Sequence, residues 1–197
     1  DIVFKTLQPA VRYTKEECLD LPDVTYQTRD VPLTPQQDKY YKKLKKEMFI
    51  EAAGEEITVV NAAAMLTKLL QVSAGSIYTD KKEVIEFDVK NRMTALKDII
   101  TEASHKVIVF APFRNSIELI LTELTKSKIS CDCIHGGITM NKRSQIFKSF
   151  QESKDPQVLV IQPQSASHGV TLHAANVVVF WSPVVSVETY IQCCARM

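Results

Sequence analysis

Short apolar segments alternate with amphipathic segments along the second half of the chain. Between the apolar segments, apolar residues recur every three or four positions, which is the spacing of one face of an α-helix. Buried strands that alternate with such helices are typical of a parallel sheet covered on both faces. We therefore predict an α/β fold with strands KVIVF (106–110), CDCI (131–134), VLVI (158–161) and VVVF (177–180), and with helices over 91–103, 115–125, 141–150 and from 187 onward.

The first 89 residues show a different pattern. Thr34 has the position of a helix N-cap, because Pro35 follows it and Gln37 stands three residues on. This pattern predicts a helix that runs as far as Gly54. The predicted parts are an extended entry segment (1–33), a small helical extension (34–89, with helices over 34–54 and 57–72 and one or two short strands within 74–90) and an α/β lobe (90–197).

Composition limits the possible partners. The 197 residues are 45% hydrophobic and 24% charged, with a net charge of +1, so a nucleic-acid surface would have to be a local patch. No run of about 18 apolar residues occurs, and DIVFKTLQPA does not have the pattern of a signal peptide. We therefore expect no membrane partner and an intracellular location, cytoplasmic in a prokaryote or phage-infected cell and nuclear in a eukaryote.

Cysteines and chain ends add two expectations. The five cysteines are odd in number and show no C-x-x-C spacing, which favours reduced thiols over a metal or disulfide role. The first residue is not methionine, and the last residues, Arg196 and Met197, fall within a predicted helix. We expect the chain to be part of a longer protein.

Six stretches carry a resemblance that covers nearly the whole chain. They are VRYTKEECLDLPD (11–23), LTPQQDKYYKKL (33–44), KVIVFAPF (106–113), IHGGITMNKRSQIFKSF (134–150), VLVIQPQSASHGVTLHAANVVVFWSP (158–183) and ETYIQCCARM (188–197). Their order resembles the second, C-terminal motor lobe of superfamily-two helicases, most closely the Swi/Snf-like branch of DNA translocases. The resemblance implies a RecA-like parallel sheet with helices on both faces.

The chain departs from the family pattern at several places. ASHGVTL (166–172) stands where the family often has G-G-x-G-x-N-L, so that only Gly169 and Leu172 match. Phe180 and Ser182 stand where Asp and Asn are usual. A second arginine of the last motif would fall at position 199, beyond the end of the chain. The chain is thus similar to the looser phage and prokaryotic members.

In the family, ATP and Mg²⁺ lie between two lobes and are held mainly by the first. The chain contains no G-x-x-x-x-G-K-[ST] segment, so we expect it to be inactive alone and to work with the first lobe of the same protein. The resemblance assigns Gly169, Val170 and Thr171 to nucleotide binding. It assigns catalytic roles to Gln192 and Arg196, with Arg196 directed toward the γ-phosphate.

The resemblance also implies a grip on the phosphates of duplex DNA, with RNA not excluded. Residues that follow strand ends or begin the next helix are the candidates, because exposed N–H groups and helix dipoles favour anions there. They are Arg114, His135, Gly136, Gly137, Lys142, Arg143, Gln164, Ser165 and Ser167. We expect these turns and Arg196 to lie along one edge of the sheet.

Two other functions stay open. The departures at His168, Phe180 and Ser182 fit a non-catalytic interaction module that keeps the fold. An unrelated doubly wound enzyme would need a glycine-rich cofactor loop after the first strand, whereas the segment there is APFRNS (111–116). The lysine-rich face of the first predicted helix is interpreted as an ordinary solvated surface.

Overall fold

The computed structural model describes residues 24–47, 49–52, 55–58, 62–165 and 171–196. The chain divides into two compact units, residues 1–30 and 31–197, and the described helices and strands belong to the second. The first elements are α1 (Pro35–Glu47), β1 (Phe49–Ala52), β2 (Glu55–Thr58), α2 (Ala62–Ala74), β3 (Ser76–Tyr78) and β4 (Val84–Glu86). The lobe follows with α3 (Lys90–Glu102), β5 (Lys106–Phe110), α4 (Arg114–Lys126), β6 (Cys131–Ile134), α5 (Met140–Glu152), β7 (Val158–Ile161), a short turn (Pro163–Ser165), β8 (Ala175–Phe180) and α6 (Val187–Cys194).

The start of α1 is the predicted capping box. The backbone N–H of Gln37 donates to Thr34 Oγ1 at 3.4 Å, and the backbone N–H of Thr34 donates to Gln37 Oε1 at 3.2 Å. The predicted end of this helix is wrong, because α1 stops at Glu47 and an antiparallel hairpin follows. Ile50 pairs with Ile57 in that hairpin, so the predicted start of the second helix at Ile57 is wrong too. Phenylalanine, isoleucine and threonine in FIEA and EEIT favour strand pairing.

The lobe is built on one parallel sheet in the order β6-β7-β5-β8. Side chains alternate between its faces, as the pleat requires. Val107 and Val109 pack with α3 and α4 on one face, whereas Ile108 and Phe110 pack with α5 and α6 on the other. All four residues are fully buried, which confirms the predicted parallel sheet with helices on both faces.

The helical extension has a small core of its own. Leu44 of α1, Val72 of α2, Ile77 of β3 and Phe87 form one buried cluster. Gln37 ties α1 to α2, because its side-chain amide donates to the carbonyl of Val72 at 2.8 Å. The predicted limits of the extension at residues 34 and 89 stay a prediction.

Three negative findings apply to the described part of the chain alone. Its cysteines, at 131, 133, 193 and 194, are unpaired thiols. No group of histidine, cysteine and acidic residues in it is arranged to hold a metal ion. No helix in it is both long enough and apolar enough to cross a membrane. Cys18 lies outside the described residues.

Candidate functional site

The turns predicted to carry function lie along one edge of the sheet. Phe110, Ile134 and Phe180 are the last residues of β5, β6 and β8. Ile161, the last residue of β7, is in register with Ile134 and with Phe110, and Phe110 is in register with Phe180. The backbone continues this alignment one residue further, because Ala111 N–H donates to the carbonyl of Ile161 at 3.0 Å. The loops that follow β5, β6, β7 and β8 therefore leave from the same carboxyl edge, which is where parallel sheets bind ligands.

Gln162 links three of these loops, and we had not predicted a role for it. Its backbone N–H donates to the carbonyl of Ile134 at 2.8 Å. Its side-chain oxygen accepts from the N–H of Gly136 at 3.3 Å, and its side-chain nitrogen donates to the carbonyl of Pro112 at 3.4 Å. The only sequence signal was its position as the first residue after a fully buried strand.

The turn after β6 is organised by His135. The N–H of Gly137 donates to His135 Nδ1 at 3.0 Å, which requires that Nδ1 carry no proton. The neutral ring therefore carries its proton on Nε2. Both glycine N–H groups that we expected to contact phosphate, at Gly136 and Gly137, are thus engaged by side chains. Neither N–H group is therefore free for a further hydrogen bond of the same kind.

Two guanidinium groups flank His135. Arg114 begins α4 and extends over the turn, because a Cβ built on Gly137 would lie 3.9 Å from Arg114 Nη1. Arg143 of α5 donates from Nη2 to the carbonyl of His135 at 3.3 Å. Burial, and then the positive charges of Arg114 and Arg143, hold the pKa of His135 below its ordinary value, while Glu118 opposes them. The neutral, donating ring is therefore the favoured form.

Arg143 is more enclosed than the sequence predicted. Only 8% of its surface is exposed, because it lies three residues before Ile146 on the inner face of α5. Its Nε is buried and has no hydrogen-bond partner among the described residues, and no carboxylate in that set forms an ion pair with it. Buried cations are usually paired, so a guanidinium without a carboxylate partner among the described residues is unusual.

The remaining candidates for phosphate contact differ in accessibility. Lys142 is exposed beside Arg143, and Gln164 is exposed in the turn after β7. Ser165 is buried, and its N–H donates to the carbonyl of Gln162 at 2.8 Å, which makes it a supporting residue of that turn. Ser167 lies outside the described residues.

Arg196 follows α6 and bonds through its backbone to the segment that precedes β8. Tyr190 of α6 packs on Phe180 with ring centroids 4.9 Å apart, and the carbonyl of Arg196 accepts from the N–H of Leu172. Leu172 in turn bonds to Ala175, the first residue of β8. The chain therefore returns along β8, and the backbone of Arg196 lies near its amino end. The helix α6 also contacts the turn Pro163–Ser165 that follows β7. The expectation that the side chain of Arg196 shares the edge of the turns stays a prediction.

Of the residues assigned to the nucleotide, Thr171 lies near Arg196. Thr171 directly precedes Leu172, and its carbonyl accepts from Gln151 at 2.9 Å. Gln192 donates to Glu188 one turn earlier in α6 at 3.3 Å. Arg196 Nε is buried and has no partner within the described ranges, which leaves a donor suited to an anion. Gly169 and Val170 lie outside the described residues.

The charged and N–H-donating side chains at this edge form one group. We call Arg114, His135, Lys142 and Arg143 the edge cluster. It combines two exposed cations, Arg114 and Lys142, with the partly exposed His135 and the buried Arg143. Such donors match the oxygens of a phosphodiester and position a nucleic acid irrespective of its sequence.

Comparison with known families agrees with this geometry. Residues 91–197 match the family described as "Helicase conserved C-terminal domain". The chain belongs to this family. A helicase C-terminal domain of this type accounts for the parallel sheet and the loops at its carboxyl edge, and it confirms the resemblance inferred from the sequence.

The helicase C-terminal domain has longer relatives. A "Putative protein p41" of Acyrthosiphon pisum secondary endosymbiont phage 1 is 26% identical over 180 residues, which cover 90% of this chain and 37% of the relative. An "Uncharacterized ATP-dependent helicase" of Mycoplasma genitalium is 28% identical over 189 residues, which cover 92% of this chain and 18% of the relative. The chain thus spans well under half the length of these relatives.

Solved structures confirm the RecA-like fold of the helicase C-terminal domain. The SWI2/SNF2 ATPase C-terminal domain of Sulfolobus solfataricus superimposes with a TM-score of 0.56 at 20% identity, over 77% of this chain and 68% of that one. The C-terminal part of the Fun30 ATPase domain gives a TM-score of 0.52 at 20% identity, over 54% of this chain and 36% of that one.

Proposed function

We propose that this chain is the second motor lobe of an ATP-dependent DNA translocase or helicase. In this role it grips nucleic-acid phosphates at the carboxyl edge and closes over ATP held by a first lobe of the same protein. The observation that carries the proposal is the edge cluster, in which the buried Arg143 has no carboxylate partner within the described part of the chain. An incoming phosphate would supply the missing negative charge.

The partner that fits the cluster is duplex DNA. Arg114 and Lys142 are exposed and available to backbone phosphates, while His135 offers a neutral Nε2–H donor. Contacts of this kind do not distinguish sequences, which suits a motor that moves along any duplex. RNA offers the same phosphates, so competition between the two duplexes decides the substrate.

ATP and Mg²⁺ would be held mainly by the first lobe. The present chain, as the second lobe, would contribute Gly169, Val170 and Thr171 beside the nucleotide. Its Gln192 and Arg196 would lie on the side of the phosphates. The unpartnered Nε of Arg196 supports that assignment, since the described residues leave it without an acceptor. ATP supplies the phosphoryl group whose transfer to water drives the motor, and an arginine stabilises the charge that develops there. We also propose an intracellular location for this motor.

The test is hydrolysis by the longer protein that contains both lobes. Arg196→Ala should lower DNA-stimulated ATP hydrolysis by about 10³-fold or more while ATP binding is retained, because arginine fingers act on the transition state. Lys148→Ala is the matched control, since Lys148 is an exposed cation that pairs with Glu152 at 3.9 Å within α5. The present chain by itself should hydrolyse no ATP above background.

A second function is favoured by one contact. Phe180 stands where the family often has Asp, and its ring packs against Phe110 and Tyr190 at 5.4 and 4.9 Å. An apolar stack at that place fits an interaction module that keeps the fold without the motor. The same assay separates the two, because the module predicts DNA binding with no stimulated hydrolysis in the longer protein.

A further inference from the structure

A single backbone carbonyl at the end of α2 accepts hydrogen bonds from two distant parts of the lobe. Trp181 Nε1 donates to the carbonyl of Ala74 at 2.8 Å. Ser116 Oγ donates to the same oxygen at 3.3 Å. Gly75 makes this approach possible, because its φ of +109° turns the chain sharply and an added Cβ would lie 2.5 Å from Val89 Cγ1.

Trp181 is held on its other sides as well. Its backbone N–H donates to the carbonyl of Phe110 at 2.9 Å, which extends the pairing of β8 with β5 by one residue. Its own carbonyl accepts from Arg92 Nη1 at 2.9 Å. The same guanidinium lies 5.4 Å from the centre of the indole ring, and burial lowers the pKa of Arg92. Trp181, which directly follows β8, is therefore bound to β5, α2 and α3, and we call this set of contacts the joint.

The two donors to Ala74 stand at the start of the two functional segments. Ser116 lies in the first turn of α4, two residues after Arg114 of the edge cluster. Trp181 opens the connection from β8 to α6, which carries Gln192 toward Arg196. A shift of the start of α4 would alter the bond from Ser116 to the carbonyl of Ala74, which also accepts from Trp181. Through Trp181, the shift would act on the start of the segment that leads to α6.

We propose that Trp181 is a positioning residue that couples the phosphate grip at α4 to the segment containing α6 and Arg196. This inference rests on the proposed function, since it concerns how a grip on DNA would be transmitted toward the nucleotide. The bond from Ser116 is the longer of the two, at 3.3 Å against 2.8 Å, so a displacement of α4 on binding would weaken it first.

Described residues that are neighbours of the joint in the sequence carry polar atoms without hydrogen-bond partners. Ser76 Oγ, Asn115 Nδ2 and Ser182 Oγ are buried and have no hydrogen-bond partner in the part of the chain that the structure describes. Each belongs to a residue directly next to Gly75, Ser116 or Trp181. Buried groups without partners are costly, so these residues add unfavourable desolvation energy to the arrangement around Trp181.

The chain contains one tryptophan, which makes the joint observable. Trp181 is 4% exposed and is not part of the edge cluster, so a change in its emission on adding a mixed-sequence DNA duplex reports coupling rather than contact. The unaltered chain should show such a change at saturation. Ser116→Ala should abolish most of the change while keeping most of the affinity measured by anisotropy. Thr122→Ala, which removes an α4 hydroxyl that bonds only within its own helix, should behave like the unaltered chain.

The outcomes separate the coupling from the proposed function. If the unaltered chain binds the duplex without a change in emission, or if Ser116→Ala leaves the change intact, the coupling is overturned. If the unaltered chain does not bind the duplex, the proposed function is contradicted as well. A comparison that needs no DNA is the melting temperature of Trp181→Phe, Ser116→Ala and the double variant. Either donor alone still satisfies the carbonyl of Ala74, whereas the double variant leaves it buried without a donor. The double variant should therefore lose more than the sum of the single losses, and additive losses would also overturn the coupling.

Discussion

Replacing Arg114 by alanine tests the edge cluster at an exposed position. Its guanidinium pairs with Glu118 at 3.1 Å, but both side chains are more than half exposed. Such a surface pair is worth about 0–1 kcal/mol, so it does not hold Arg114 away from a phosphate. Each phosphate contact contributes about 0.9 to the slope of log affinity against log salt concentration. Arg114→Ala should therefore reduce that slope by about 0.9.

The magnitude can be measured by fluorescence anisotropy on a labelled duplex. Raising the salt concentration from about 50 to about 200 mM should cost the variant about 3.5-fold less affinity than it costs the unaltered chain. Lys126→Ala is the matched control, because Lys126 also pairs with an acid on α4 but stands about 18 Å away at its other end. That separation exceeds the screening length of about 10 Å at 0.1 M salt. Equal slopes for Arg114→Ala and the unaltered chain, or equal reductions in both variants, would refute a local grip.

Three further changes have defined outcomes. Glu118→Gln should strengthen duplex binding a few-fold at low salt, because it removes a carboxylate that competes for the neighbouring guanidinium; weaker binding in the same anisotropy assay would contradict this. Gly75→Ala should lower the free energy of unfolding by about 2 kcal/mol or more, because φ is +109° and the new Cβ would lie 2.5 Å from Val89 Cγ1. Gly136→Ala, where an added Cβ meets no atom within 4 Å, should change urea unfolding little, and equal losses would count against the strain argument. His135→Gln should flatten the loss of stability below about pH 6.5: the pKa of His135 is lowered in the folded chain, so the unfolded chain takes up the proton first as pH falls. An unchanged pH profile of urea unfolding would remove His135 from this role.

The sheet was predictable from sequence because its strands are buried on both faces. Val158–Ile161 is apolar throughout and fully enclosed, so no alternation had to be interpreted. The capping residues of α1 were predictable for a local reason, since Thr34 and Gln37 bond to each other. The end of α1 was not, because pairing between β1 and β2 overrides the helical pattern of a short polar stretch.

The site was less accessible to sequence analysis because its important contacts are tertiary. Gln162 bonds to Gly136 and Pro112, which are 26 and 50 residues away in the chain. Burial of Arg143 had a signal, namely its spacing of three from Ile146, but the charge of an arginine outweighed that pattern in our interpretation. The backbone of Arg196 is fixed by a hydrogen bond from Leu172, 24 residues earlier in the chain, and no local sequence pattern indicates that contact.

Amide chemical shifts of the ¹⁵N-labelled chain, titrated with a duplex of mixed sequence, would test most directly whether phosphates bind at the carboxyl edge. The account predicts that the largest changes occur in 111–116 and 135–143, with little change at the amino edge in 127–130 and 153–157. Changes centred on the amino edge, with the signals of 135–143 unmoved, would contradict it.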